Sequence, residues 1–289
     1  MLELFSKYFK KDFPEQEKYT FYLAISGGKD SMVLSHLLIQ AGIDHKLLHC
    51  NFNLRSAESD QDQKFVENHS VEHGLELKIK SFDTTKESEK RNINIQLTAR
   101  DLRYEWFNTI LDLDEHKKSI LLTAHHLDDS IETFFINLLR GTGLKGLSGI
   151  PKRNGSTYRP LLDFALSDIL TFVDSHKIDY RQDSSNNENK YLRNKIRHSL
   201  IPLVEQLSPE IRKKFKALFK ESIEHQTFLE VEKVNFKLEQ VIQNKNYSSI
   251  SKNLFKDDLN VVTKEFLKDL DIRRSNINEF VKFSKSING

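Results

Sequence analysis

The sequence predicts an α/β fold with a parallel sheet, followed by an all-helical C-terminal region. Three observations carry this expectation. Short apolar runs rich in aromatic and β-branched residues alternate with longer amphipathic runs through the first half of the chain. The run Ser119–His125 is apolar almost throughout, as strands covered on both faces are. After a Gly-rich connector at 140–150 the periodicity becomes almost wholly helical.

The elements follow in order. Residues 1–13 place apolar side chains at helical spacing between lysines. Tyr19–Ile25 reads as a buried strand that leads through Gly27-Gly28 into a helical run at 31–42. Lys46–Phe52 is a second strand, Leu75–Phe82 a third with partial alternation, and Ser119–His125 a fourth. Residues 57–73 and 93–116 have helical composition and period between them. Strands and helices alternating at this spacing make βαβ units, and ligands of such sheets bind at the carboxyl ends of the strands. A short extended piece at 158–161 precedes helices at 166–177 and 191–207. A long helix follows from Pro209 to about Val241, with Ser208 as its cap. The polar stretch 243–253 reads as a loop. A boundary near residue 205 separates a catalytic domain, 1–205, from a helical domain, 206–289.

Composition narrows the class of protein. With 38% hydrophobic and 30% charged residues over 289 positions, the chain can bury a core. Mean hydropathy is −0.55, and no run approaches the about 18 apolar residues that a membrane helix needs. The N-terminus lacks the apolar segment of a signal peptide. The single cysteine, Cys50, excludes an internal disulfide and a multi-cysteine zinc site, which suits a cytoplasmic protein with no membrane partner. The net charge of +2 conceals an asymmetry: residues 1–150 carry 19 basic and 23 acidic side chains, residues 151–289 carry 25 and 19. The second half is therefore the one suited to a polyanion.

Two strings carry the chemistry. Ser26, Gly27, Gly28, Lys29, Asp30 and Ser31 follow the first strand and open the first helix of the sheet. Two glycines let backbone N–H groups approach an anion, the helix start adds its dipole, and two hydroxyls add donors. Asp30 belongs beside a polyphosphate only if Mg²⁺ lies between them. The ending of a Walker P-loop is missing. The second string, Thr123–Thr133, sits where the fourth strand becomes a helix. Within it His125, His126, Asp128, Asp129 and Glu132 gather two imidazoles and three carboxylates, with Asp128 and Glu132 on one helical face. So much negative charge calls for a cation: Mg²⁺, zinc or an ammonium substrate. Arg55 ends the second strand, Arg100 and Arg103 share a face of the third long helix, and Arg140 and Lys145 flank the Gly-rich connector. The run 190–220 holds nine basic residues against Glu205 and Glu210, among them Arg193, Lys195, Arg197, Arg212, Lys213 and Lys214.

The Ser26–Ser31 loop resembles the signature of the N-type ATP pyrophosphatases, which have a Rossmann-like parallel sheet and split ATP between its α and β phosphates. The strings at 123–133, 140–150 and 191–202 are similar to those of one branch, the bacterial tRNA(Ile)-lysidine synthases. The family usually has a histidine where this chain has Phe52. The resemblance implies ligation of free L-lysine to C2 of the wobble cytidine of tRNA(Ile) with a CAU anticodon. ATP adenylates the base oxygen, pyrophosphate leaves, and the lysine amine then displaces AMP to give lysidine, which moves decoding to AUA and charging from methionine to isoleucine. It implies ATP at Ser26–Ser31, Mg²⁺ on Asp30, and phosphate charge met by Arg100 and Arg103. It places lysine at Asp128, Asp129 and Glu132, with His125 or His126 as base. RNA contacts fall to Arg55, Arg140, Lys145, Arg193, Lys195, Arg197, Lys213 and Lys214. A further C-terminal domain gripping the acceptor stem is common in this branch and lies outside these residues. The oligomeric state is left open, a homodimer included. The rivals are a tRNA 2-thiolase, which would want more than one cysteine, a small-molecule synthetase of the NAD or GMP type, and a non-catalytic nucleotide- or RNA-binding module.

Overall fold

The computed structural model describes residues 1–54, 57–113, 117–182, 191–244 and 247–250. Apolar runs become strands β1 (Tyr19–Ala24), β2 (Lys46–Asn51), β3 (Leu77–Ser81) and β4 (Lys118–Leu122), each where the sequence placed one. A short hairpin, β5 (Arg153–Asn154) and β6 (Thr157–Tyr158), completes a six-stranded sheet of order β3-β2-β1-β4-β6-β5. All its pairings are parallel except β5 with β6. Ten helices are described: α1 (Leu2–Asp12), α2 (Lys29–Gln40), α3 (Ala57–Glu72), α4 (Thr84–Arg91), α5 (Ile95–Leu111), α6 (Leu127–Leu139), α7 (Leu166–His176), α8 (Tyr191–Lys195), α9 (Ile201–Leu207) and α10 (Ile211–Gln240). A π-helical turn, Ile196–Leu200, joins α8 to α9.

Successive strand residues point to opposite faces, and the core divides accordingly. Phe21 and Leu23 of β1, Leu47 of β2, and Ile120 and Leu122 of β4 pack against α1, α2 and α7 through Phe9, Leu37 and Phe172. Their neighbours Tyr22, Leu48 and Leu121 pack on the other face against Phe107, Ile110 and Leu111 of α5. Burial of each such side chain contributes about 1.5–3 kcal/mol, which is why these runs lack polar residues. The lysine-punctuated α1 turns Phe5 and Phe9 inward, and Phe13, just past its end, meets Phe21 and Tyr158 edge-on.

The chain builds β1, β2 and β3 in one direction, then returns to the other side of β1 with β4. The order therefore reverses between β1 and β4. In a parallel sheet such a reversal of strand order opens a crevice at the carboxyl ends of the two strands. Both chemistry-bearing strings sit at that crevice.

Two expectations change. The helix expected over 93–116 is preceded by a separate α4. Asn92 ends α4 in the left-handed region at φ 53°, and Asn94 starts α5 by accepting from Leu97 N–H. The loop expected at 243–253 begins as a hairpin, β7 (Val241–Asn244) with β8 (Tyr247–Ile250), in which Val241 pairs with Ile250. Its Val, Ile and Tyr residues favour strands, so the region beyond Ser208 is not all helical. Packing divides the chain into units Met1–Lys216 and Ala217–Gly289, with the division inside α10. No described helix is long and apolar enough to cross a membrane.

Candidate functional site

The loop after β1 closes on itself. Ser31 Oγ donates to Gly28 O at 2.9 Å and accepts from Ser26 N–H at 3.2 Å, while Gly28 N–H donates to Ser26 Oγ at 3.2 Å. Gly27 takes φ +83°, open to glycine at no cost, and Gly28 caps α2 in extended conformation. The backbone is pinned from outside by Arg181, whose N–H donates to Gly27 O at 2.9 Å and whose guanidinium bonds Asp62 and Gln61. An isolated arginine between helices carries no sequence signal for this duty, and only the folded chain reveals it.

The loop floors a cavity of about 500 Å³ that includes Asp30 and Ser31, His49 to Phe52 from β2, Arg103 and Tyr104 from α5, and Thr123, His125 and Asp129 beyond β4. Asp30 Oδ1 is buried without a hydrogen-bond partner, its nearest cation being Lys29 Nζ at 3.9 Å. Burial raises the Asp30 pKa; His126 and Lys29 pull the other way. An orphaned carboxylate oxygen facing an anion loop suits a hard, oxygen-seeking cation, so the residues present fit Mg²⁺.

His125 lines this cavity, with Thr123 Oγ1 at 3.0 Å from its Nδ1. Burial pushes its pKa down to about 4, only partly opposed by Asp129, so the ring is neutral near pH 7. His126 is buried and enclosed by three carboxylates: Asp129 at 3.5 Å and Asp30 at 3.9 Å from Nε2, and Asp128 at 3.9 Å from Nδ1. Asp129 reaches back to accept from His126 N–H at 3.0 Å, as a residue three places into a helix does. Burial would raise Asp129, but His126, that N–H, His125 and Arg193 outweigh it and hold the carboxyl below its ordinary range.

The structure separates the acidic string into two groups. Asp30 and Asp129 face the cavity; Asp128 and Glu132 do not line it. Glu132 is fully buried and accepts from Arg193 Nε at 2.6 Å and Arg197 Nε at 2.5 Å. Asp128 accepts from Arg212 Nε at 2.9 Å and from Leu166 N–H at 2.7 Å. Of the carboxylates expected to hold lysine, Glu132 accepts a guanidinium at each oxygen, and Asp128 at one, its other oxygen taking the Leu166 N–H. Arg193 and Arg197, expected on RNA phosphate, bond Glu132 and lie within 3.8 Å of Asp129. The basic run thus has an inward part, Arg193, Arg197 and Arg212, and an outward part. In the latter, Lys213 pairs with Glu210 at 2.7 Å and Lys214 bonds Ser208 at 2.9 Å, both exposed. Arg140 is exposed at the end of α6, and Lys195 is exposed on α8. Arg55 and the Lys145 side chain lie outside the described residues.

Of the two arginines of α5, Arg103 lines the cavity and stands 5.0 Å over the Phe52 ring, while Arg100 is exposed and covers Tyr104. Phe52 in turn stacks on Phe82 at 5.5 Å and 16°. Where the family usually has a histidine, this chain has an aromatic face beneath a cation. The Cys50 thiol is pushed up to about 12 by burial, despite Arg103. Arg159, only 8% exposed, gives Nη1–H to Pro151 O while its Nε finds no partner. Neither Arg159 nor Arg181 is assigned a role by sequence spacing.

An anion-binding loop at the switch point of a parallel sheet, facing a histidine–carboxylate cluster, defines a nucleotide-binding α/β enzyme fold. Residues 1–204 match the PP-loop domain, and the chain belongs to that family. Its curated relatives include tRNA(Ile)-lysidine synthases. That of Bacteroides thetaiotaomicron is 42% identical over 190 residues, covering 66% of this chain and 44% of that protein. That of Chlorobaculum tepidum is 40% identical over 188 residues (64% and 56%), and that of Bacillus subtilis 32% over 225 (73% and 46%). The chain spans about half the length of the curated relatives it matches. Among solved structures, the U34-tRNA thiolase NcsA from Methanococcus maripaludis with its [4Fe-4S] cluster aligns at a TM-score of 0.60 and 18% identity. That alignment covers 93% of this chain and 87% of that one, a likeness of fold.

Proposed function

We propose that the chain catalyses ATP-dependent ligation of L-lysine to the wobble cytidine of tRNA(Ile) with a CAU anticodon. The observation that carries this reading is the convergence of the Ser26–Ser31 loop and the His125–Asp129 segment on one cavity, in a chain whose relatives bear that name. The loop N–H groups and the start of α2 hold the triphosphate, and Arg103 meets charge as it develops. Mg²⁺ would sit on the free oxygen of Asp30 and neutralise the β and γ phosphates. Cytosine O2 attacks the α-phosphate and pyrophosphate departs; the ε-amine then attacks C2 and AMP leaves with the C–O electrons. A base attacked at C2 has left its stack.

Asp129, held ionised and facing the cavity, replaces Asp128 and Glu132 as the carboxylate for a lysine ammonium. His125 is the better placed of the two histidines to take the proton released by the attacking amine. It lines the cavity and is neutral, and Asp129 stabilises the imidazolium that results. RNA phosphate falls to the outward cations Arg140, Lys213 and Lys214.

Pyrophosphate release with ATP, lysine and unmodified CAU tRNA, omitting each in turn, tests the reading. Lysine-dependent product on that tRNA is expected. Sulfur-dependent product, or ATP turnover without tRNA, would assign the cavity to a thiolase or a small-molecule synthetase. In His125→Asn, adenylation should persist while lysine transfer slows by at least about a hundredfold.

A further inference from the structure

A second group of convergent ligands lies away from the cavity, between the later turns of α2 and α3. His36 of α2, His69 of α3 and His73, in the turn just past α3, each offer a ring nitrogen, and these three atoms lie within 4.8 Å of one another. His73 N–H donates to His69 O at 3.2 Å, a terminal turn that brings the two rings to one side. The ring centroids are 4.6 Å apart for His69 and His73, 5.3 Å for His36 and His69, and 5.6 Å for His36 and His73. His69 is buried and the other two are half-buried, so one side of the cluster opens to solvent.

Two of the rings are already oriented from behind. His36 Nδ1 is 2.9 Å from the Met32 carbonyl, which accepts its proton and leaves the lone pair on Nε2. His69 Nε2 is 2.8 Å from Ser35 Oγ. Carbonyl and hydroxyl partners behind imidazoles are the usual second layer of a metal site. Imidazole nitrogens gathered this closely suit a borderline-soft cation.

We propose that His36, His69 and His73 bind one divalent transition-metal ion of the zinc type, clamping α2 to α3, with water or Glu72 completing the coordination. Zinc–imidazole bonds of about 2.0–2.1 Å at tetrahedral angles need nitrogens about 3.3 Å apart, a closure that rotamer adjustment of the half-buried His36 and His73 can supply. The ion is a structural clamp, since none of the three histidines lines the cavity. Among the described residues these histidines have no part in the proposed reaction.

The test uses the full chain without a polyhistidine tag. Zn²⁺ binding is followed by calorimetry and by thermal midpoint, and Co²⁺ by its visible absorption. One equivalent is expected, with tetrahedral-type absorption and a higher midpoint. His73→Gln, at a half-buried position chosen to preserve folding, should weaken binding by more than about tenfold and abolish the shift. His36→Gln should do the same. Absence of Co²⁺ absorption and of a Zn²⁺ shift in the folded parent chain would overturn the proposal. So would binding that survives in both variants but disappears in Asp129→Asn, which would move the ion to the cavity.

Discussion

Replacement of Glu132 by Gln distinguishes a structural anchor from a substrate ligand. Glu132 is fully buried, and each oxygen accepts a charge-assisted bond, from Arg193 Nε at 2.6 Å and from Arg197 Nε at 2.5 Å. Glutamine keeps the volume but loses the charge, and its amide nitrogen must face one of the two arginine donors. Removing one partner of a buried pair costs about 3–5 kcal/mol. The arginine side chains here are 30% and 38% exposed and can partly recover hydration, so the low end, about 3 kcal/mol, applies. For a unit of this size that lowers the thermal midpoint by about 6–12 °C. Circular dichroism melting reads the loss, and steady-state kinetics at a temperature where the variant is folded reads KM for lysine. The expected outcome is a large drop in midpoint, with Arg193→Met in the Glu132→Gln background adding little. A midpoint within about 2 °C of the parent together with a tenfold higher KM for lysine would refute the anchoring role and return Glu132 to the substrate.

Other outcomes follow from the same geometry. Gly27→Ala forces a Cβ onto φ +83° and to 3.4 Å from Phe65, so it should destabilise the chain by about 1–2 kcal/mol and raise KM for ATP more than KM for lysine; equal KM values for ATP would refute the strain at the loop. Cys50→Ala should retain ligation, because a thiol raised to about 12 offers no thiolate; loss of product with folding intact would favour sulfur chemistry. Reversing charge at Lys213 and Lys214 together should weaken tRNA binding and reduce the slope of log K against log salt by about 2, and an unchanged slope places the RNA elsewhere. Burial lowers the pKa of His45, His49 and His125, so the unfolded chain takes up protons that the folded chain refuses. Stability should therefore fall as pH drops from about 6.5 toward 4, less steeply in His49→Gln; identical slopes in parent and variant would remove His49 from the account.

The sequence by itself determined the sheet and the place of its site. Strands β1, β2 and β4 were legible because both faces of each are covered, which demands apolar runs, β3 by its partial alternation, and the Gly27-Gly28 turn because few residues accept φ +83°. The Ser26–Ser31 and His125–Glu132 strings were legible because their chemistry is local: a loop bonding itself, and a helix start. What the sequence could not apportion was which charges meet. Asp128, Asp129 and Glu132 lie within five residues, yet only Asp129 faces the cavity. The other two are claimed by Arg193, Arg197 and Arg212, more than 60 residues away, a choice made by how α8 and α10 pack on α6. The same holds for Arg181 behind the loop and for the histidines between α2 and α3. Charge pairing decays over a few ångströms in space and has no period along the chain, so only the tertiary structure decided it.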